Sequence, residues 1–191
     1  MTDNALQHSK LFDFLTAIDG DLAARCRSLG CVFCGGVLHS ARYRRKPLGV
    51  PLVEGVPTTR DSFCCESCRR RTTPGSVRFL GRRVYPGFIV ILLSVMQRGV
   101  TDSGINELRP ALVVARRTLQ RWRHWWRKIF VHTPLWRYER GNFMPTIDDA
   151  TLPASLLERL VSSDAQTRVV QLLRFLIPLS APGLSTQRER R

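Results

Sequence analysis

Along the first thirty residues the apolar positions recur at helical spacing. Leu11, Phe12, Leu15 and Ile18 share one side of a 3.6-residue period and Gly20 interrupts it, which predicts one or two short helices within 1–29. From Cys31 the period shortens. Val37 to Arg45 alternates in part, and Gly49, Pro51, Gly55 and Pro57 punctuate the next stretch, the pattern of short hairpin strands. Ser76 to Leu80 reads as a further extended segment after the Pro74-Gly75 turn. A continuous apolar run from Phe88 to Met96 is too short to span a bilayer, which needs about 20 apolar residues. With Pro86 and Gly87 ahead of it, it reads as a buried core helix.

The most specific helical pattern lies further on. Thr101, Asp102 and Ser103 offer N-caps for a short helix to about Leu108, Pro110 redirects the chain, and Leu112-Val113-Val114 turns into a second helix. On that helix Leu119, Trp122 and Trp126 fall at i, i+3 and i+7, with Trp125 and Ile129 flanking them. Arg116, Gln120, Arg123 and Arg127 form one polar stripe, and Arg117, Arg121, His124 and Lys128 the next. Two amphipathic helices come after it, one through Leu156, Leu157, Leu160 and Val161, the other from Val169 to Leu176 and ending before Pro178. The expected organisation is α+β: a helical segment at 1–29, a four-cysteine ribbon of hairpins at 30–82, a helix-turn-helix at 83–131, a helical segment at 132–180 and a disordered tail at 181–191.

Charge narrows the choice of partner. The 191-residue chain is 43% hydrophobic, enough for a packed core, yet carries 30 Lys and Arg against 15 Asp and Glu, a formal charge of +15. Between 41 and 140 there are 21 basic residues and 6 acidic ones, so the excess is concentrated there and a polyanion is the expected partner. Nearly all the bases are arginines, whose planar fork suits phosphate and guanine. No apolar signal segment opens the chain, since Met1 to Lys10 is polar; this predicts a cytoplasmic protein with reduced thiols and no membrane association.

Reduced thiols change the meaning of the cysteines. Cys31-Val32-Phe33-Cys34 and Cys65-Glu66-Ser67-Cys68 are separated by thirty residues, and each pair lets two thiolates face one ion from a single tight turn. Gly35 and Gly36 give the first turn room to bend back. A structural Zn2+ held by Cys31, Cys34, Cys65 and Cys68 is therefore expected in preference to disulfides or a redox pair. Cys64 stands beside Cys65 and either could partner Cys68; spacing favours Cys65.

The basic helix then supplies candidate readers. Arg116, Arg117, Gln120, Arg121 and His124 lie where long polar side chains of a recognition helix reach base edges in a major groove. From Arg116 to Lys128 there are seven basic residues, His124 included, and no acid, whereas a merely solvated helix pairs opposite charges at i,i+4. Arg69, Arg70 and Arg71 beside the second knuckle suit phosphate contact, or equally a charged strand edge. No catalytic constellation stands out. Asp148 and Asp149, adjacent in a Pro-flanked loop, fit helix capping better than a two-metal site, and the four histidines are scattered, so no enzyme activity is expected.

With both features in view, the stretch from Cys31 to Lys128 resembles the N-terminal DNA-binding part of bacterial insertion-sequence transposases, a cysteine zinc ribbon followed by a helix-turn-helix. Arg116-Arg117-Thr118-Leu119-Gln120-Arg121-Trp122 carries the resemblance most closely. It implies binding to double-stranded DNA through the second helix, in a stand-alone or truncated relative without the catalytic domain. The alternatives are an RNA-binding ribbon protein, or a transposase or nuclease fragment completed by a partner chain. The C-terminal helices are the expected surface for a homodimer.

Overall fold

The computed structural model describes residues 2–44, 59–80, 116–162 and 165–181. The expected helix over Phe88–Met96, the first helix and turn of the helix-turn-helix, and the tail from 182 lie outside these residues. Among the described residues the protein mixes helices with two small antiparallel sheets, an α+β arrangement. None of their helices is long and apolar enough to cross a membrane.

One helix, α1 (Thr2–Leu29), replaces the one or two short ones expected. It runs through Gly20 without a break. Glycine in a helix interior costs about 1 kcal/mol relative to alanine, and burial of Leu15, Ile18 and Ala23 on either side of it outweighs that cost. The same face carries Asp19, which is also buried. Leu15 and Ile18 enter one apolar cluster, while Ala23 and Cys26, further along, meet another.

The second cluster sits beneath the strands. Strands β1 (Leu38–Ser40), β4 (Phe63–Cys65) and β5 (Arg71–Thr72) form a three-stranded sheet in the order β1-β4-β5. Leu38 pairs with Cys65 and Phe63 with Thr72. Strands β2 (Tyr43–Arg44) and β3 (Thr59–Arg60) make a separate two-stranded ribbon. The extended segment expected over Ser76–Leu80 is no strand of either sheet. Its backbone donors go to side chains instead: Val77 N–H donates to Asp19, and the N–H groups of Arg78 and Phe79 both donate to the Ser76 hydroxyl.

The larger cluster is helical. Helix α2 (Arg116–His124) continues into a wide π turn, Trp125–Ile129, and a 3-10 turn, Phe130–His132. Helix α3 (Pro134–Glu139) starts on Thr133, whose hydroxyl accepts from the Trp136 N–H and donates to the Phe130 carbonyl. Short helix α4 (Ala154–Glu158), then α5 (Ala165–Phe175), stand where the two C-terminal amphipathic helices are expected, but the first stops before Leu160 and Val161, and Val161 is exposed. Helix α5 ends before Pro178, as expected, and a separate short helix α6 (Ile177–Ser180) with Pro178 in its first turn follows it; Ala181, expected in the tail, is buried together with Ser180.

Candidate metal centre and basic helix

Each cysteine pair is held by the same backbone pattern. In the first turn the Cys31 N–H donates to the Gly36 carbonyl, and the Gly35 N–H donates to the Cys31 carbonyl. In the second, the Cys65 N–H donates to the Arg70 carbonyl and the Arg69 N–H to the Cys65 carbonyl. The two turns are thus equivalent, with Gly35 and Arg69 at matching positions, and both are left-handed, at φ 73 and 59. Glycine takes that conformation freely, whereas arginine is strained in it. The turns also press together: a Cβ at Gly36 would stand 2.7 Å from the Ser67 hydroxyl and 3.1 Å from the Cys65 sulfur.

This packing gathers the four thiols of Cys31, Cys34, Cys65 and Cys68, whose sulfurs all lie within 4.8 Å of one another. Cys31 and Cys68 are 3.6 Å apart, Cys34 and Cys65 3.4 Å. A tetrahedral ion with metal–sulfur bonds of about 2.3 Å has edges of about 3.8 Å, so the donor set fits such an ion with little adjustment. Strand geometry decides between the adjacent cysteines. Successive side chains of β4 point to opposite faces, so Cys65 is buried in the cage while the Cys64 thiol turns to the carbonyls of Cys65 and Arg69. Cys26 remains outside the group; burial raises its thiol above the ordinary range.

The cage is electrostatically uneven. The Cys68 N–H beside Cys65 holds that thiol down to about 6, and the Phe33 N–H lowers Cys31. At Cys68 the Arg70 N–H favours the thiolate, but burial and the surrounding sulfurs prevail and push the thiol up to about 12. Four thiols this close cannot all ionise without a cation among them. A metal ion would take up that charge and displace the remaining protons.

On α2 and the π turn the described side chains divide cleanly. Trp122, Trp126 and Phe130 are buried, with Trp125 partly so, and the rings of Trp126, Phe130 and Trp136 succeed one another at centroid separations of 4.8 and 5.1 Å. Arg117, Gln120, Arg121, Arg123, His124, Arg127 and Lys128 are exposed. Arg116 opens the helix. Ile129, expected on the apolar side, is 48% exposed while Phe130 is fully buried. The π turn accounts for the exchange, because its i→i+5 bond from the Phe130 N–H to the Trp125 carbonyl inserts an extra residue before the next inward position.

Arg69, Arg70 and Arg71 are exposed beside the second turn, and none of them pairs with an acid among the described residues. Two lie on aromatic rings: the Arg70 guanidinium is 4.7 Å from the centroid of Phe33, and Arg71 5.7 Å from that of Tyr43. Asp148 and Asp149 have structural partners. Asp148 caps the 3-10 turn Asp149–Thr151 through the Ala150 N–H, and Asp149 accepts from the Trp136 indole N–H and faces Arg140 at 3.5 Å.

A polar clamp between the two clusters has no counterpart in the sequence-based expectations. Asp19 accepts from Ser76 Oγ, Val77 N–H and Arg78 Nε, each at 2.7 Å. Arg60, also buried, donates to the carbonyls of Pro74 and Ser180. The signal in the sequence is an acid at position 19 on the apolar side of an amphipathic helix, where a charge needs a partner. Neither a protein-family model, nor a curated protein, nor a solved structure matches this chain.

Proposed function

We propose that this chain is a non-catalytic, zinc-containing protein that binds double-stranded DNA. In this reading Cys31, Cys34, Cys65 and Cys68 hold a structural Zn2+ in a zinc ribbon. The helix starting at Arg116 is the reader of a helix-turn-helix, and the whole is related to the DNA-binding region of insertion-sequence transposases.

The observation that carries the proposal is the one-sided chemistry of α2 and its π turn. Three large aromatic rings anchor one side in the core, and the other presents Arg117, Arg121, His124, Arg127 and Lys128, with no acid in the sequence from 116 to 138. Such a surface of concentrated like charge favours a polyanion beside it. Its rigid aromatic seat fixes the direction in which Arg117, Gln120 and Arg121 leave the helix, a requirement for reading base edges. Four thiols suit Zn2+, which takes tetrahedral sulfur sites without redox chemistry. The structural engagement of Asp148 and Asp149 supports a reading without nuclease chemistry.

Titration of the zinc-loaded protein onto a labelled DNA duplex at several salt concentrations tests this. Affinity should fall steeply with salt, since each phosphate contact contributes a slope of about 0.9 in the log-log plot. Replacing Arg117 and Arg121 together by alanine should weaken binding at least about tenfold. Absent or salt-insensitive binding overturns the proposal, and a single-stranded RNA that displaces the duplex at equal concentration transfers it to RNA.

A further inference from the structure

The cysteine cage brings together a surface that neither of its turns has alone. Phe33 sits at the tip of the first turn and is 52% exposed, although an aromatic side chain of that size ordinarily finds cover. One partner it does have is the guanidinium of Arg70, which leaves the second turn and lies 4.7 Å from the ring centroid. Val32 beside Phe33 is 42% exposed. Arg69 and Arg71 flank Arg70, and like Arg70 they pair with no acid among the described residues.

Arg69 adds an independent observation. The two turns are equivalent, and the first places Gly35 at the left-handed position, where glycine is free of strain. The second places an arginine there at φ 59. A residue kept in a strained conformation where glycine would serve the fold better points to a use for its side chain.

We infer that Phe33 and Arg70 form a stacking platform for an unpaired nucleobase, with Arg69 and Arg71 holding the adjoining phosphates, so that the ribbon grips a single strand. This rests on the proposed nucleic-acid function and specifies its substrate as a duplex carrying an unpaired strand. The chemistry matches the site: a base stacks on an aromatic face or a guanidinium plane whatever its identity, and unpaired arginines neutralise the backbone beside it. A wholly paired helix offers no free base face. An apolar protein partner suits the patch less well, since three arginines without counter-charges would have to be desolvated against it.

The test uses the zinc-loaded full chain and three labelled ligands: a blunt DNA duplex, the same duplex with a short DNA overhang, and the same with an RNA overhang. The overhang should raise affinity about tenfold, and the two overhangs show whether the gripped strand is DNA or RNA. Phe33→Leu should abolish that gain while leaving blunt-duplex affinity and zinc content unchanged. Arg69→Gly, which relieves the backbone, should still lower overhang affinity about threefold. A 2-aminopurine in the overhang should lose fluorescence on binding the wild type and keep it with Phe33→Leu. Should Phe33→Leu lose zinc, Arg70→Gln reads the same platform with the ring in place. Blunt duplex bound as tightly as either overhang, or an overhang gain that survives the platform substitution, overturns the inference and leaves the proposed function standing. Failure to bind any of the three ligands overturns both.

Discussion

Among the described residues the helical core buries fifteen side chains, Trp126, Phe130 and Trp136 among them, whereas the cluster beneath the cysteines buries five, of which two are cage cysteines themselves. The difference decides what each region needs in order to fold. Fully burying a large apolar side chain contributes about 1.5–3 kcal/mol, while ordering each residue costs about 1–2 kcal/mol of backbone entropy. Trp126, Phe130, Trp136 and the leucines of α5 offset that cost within the helical region. Leu38, Phe63 and Ala23 cannot do so for two turns and three short strands. On the proposed reading the cysteine turns and their strands therefore depend on a bound metal, and the helical core does not.

The sharpest way to break this contrast is to remove the metal. A chelator, or Cys31→Ser combined with Cys68→Ser, should release about one zinc per chain and expose the amides of 31–44 and 59–72 to rapid hydrogen exchange, leaving the tryptophans of the helical core protected. Simultaneous loss of both regions would show that they form one cooperative unit. Cys65→Ser should behave like the double variant and Cys64→Ser like wild type, because the two thiols face opposite sides of β4.

Trp126→Ala attacks the other side of the comparison. It removes a fully buried indole that meets the rings of Trp125 and Phe130, and such truncations cost about 3–5 kcal/mol. Denaturant unfolding followed by circular dichroism should show that loss in the helical transition, with zinc content unchanged. A loss of zinc on this substitution would mean that the cage leans on the helical core.

Asp19→Ala strikes the junction between the two regions. It leaves the buried Arg78 without its carboxylate, though the Thr59 carbonyl still accepts from one arm of that guanidinium. The expected cost is about 3 kcal/mol, the lower part of the range for a broken buried ion pair. It should appear as weaker protection of 76–79 and a looser contact between α1 and the ribbon. Unchanged protection there would refute the clamp.

The sequence was legible where one interaction dominates. Two pairs of cysteines at metal-binding spacing announced the cage, and tryptophans at helical period announced the buried side of α2. What stayed hidden was set by non-local partners. Gly20 reads as a break only until the burial of Ile18 and Ala23 on the same helix is known. Ser76 to Leu80 looks like a strand because nothing local tells that Asp19, far away in the chain, will take its donors. The outward turn of Ile129 depends on a π turn, and no pattern of apolar residues specifies that one extra residue.

Gly20→Ala is the smallest change and tests α1 as the strut that joins both clusters. A Cβ at this position meets nothing within 4 Å, and Gly20 is exposed. With the helix continuous through position 20, alanine lowers the entropy lost on folding and should stabilise the protein by about 1 kcal/mol. The gain should persist after the metal is removed, because Leu15 and Ile18 hold this stretch of α1 against the helical core and not against the ribbon. A helix that divides at Gly20 into two independently held pieces predicts something else: alanine would then add nothing, or would destabilise by straightening a bend. Thermal unfolding of Gly20→Ala with and without zinc distinguishes the two. An equal rise of both transitions requires α1 to be one element that ties the cysteine turns to the helical core alongside the Arg60–Ser180 contact.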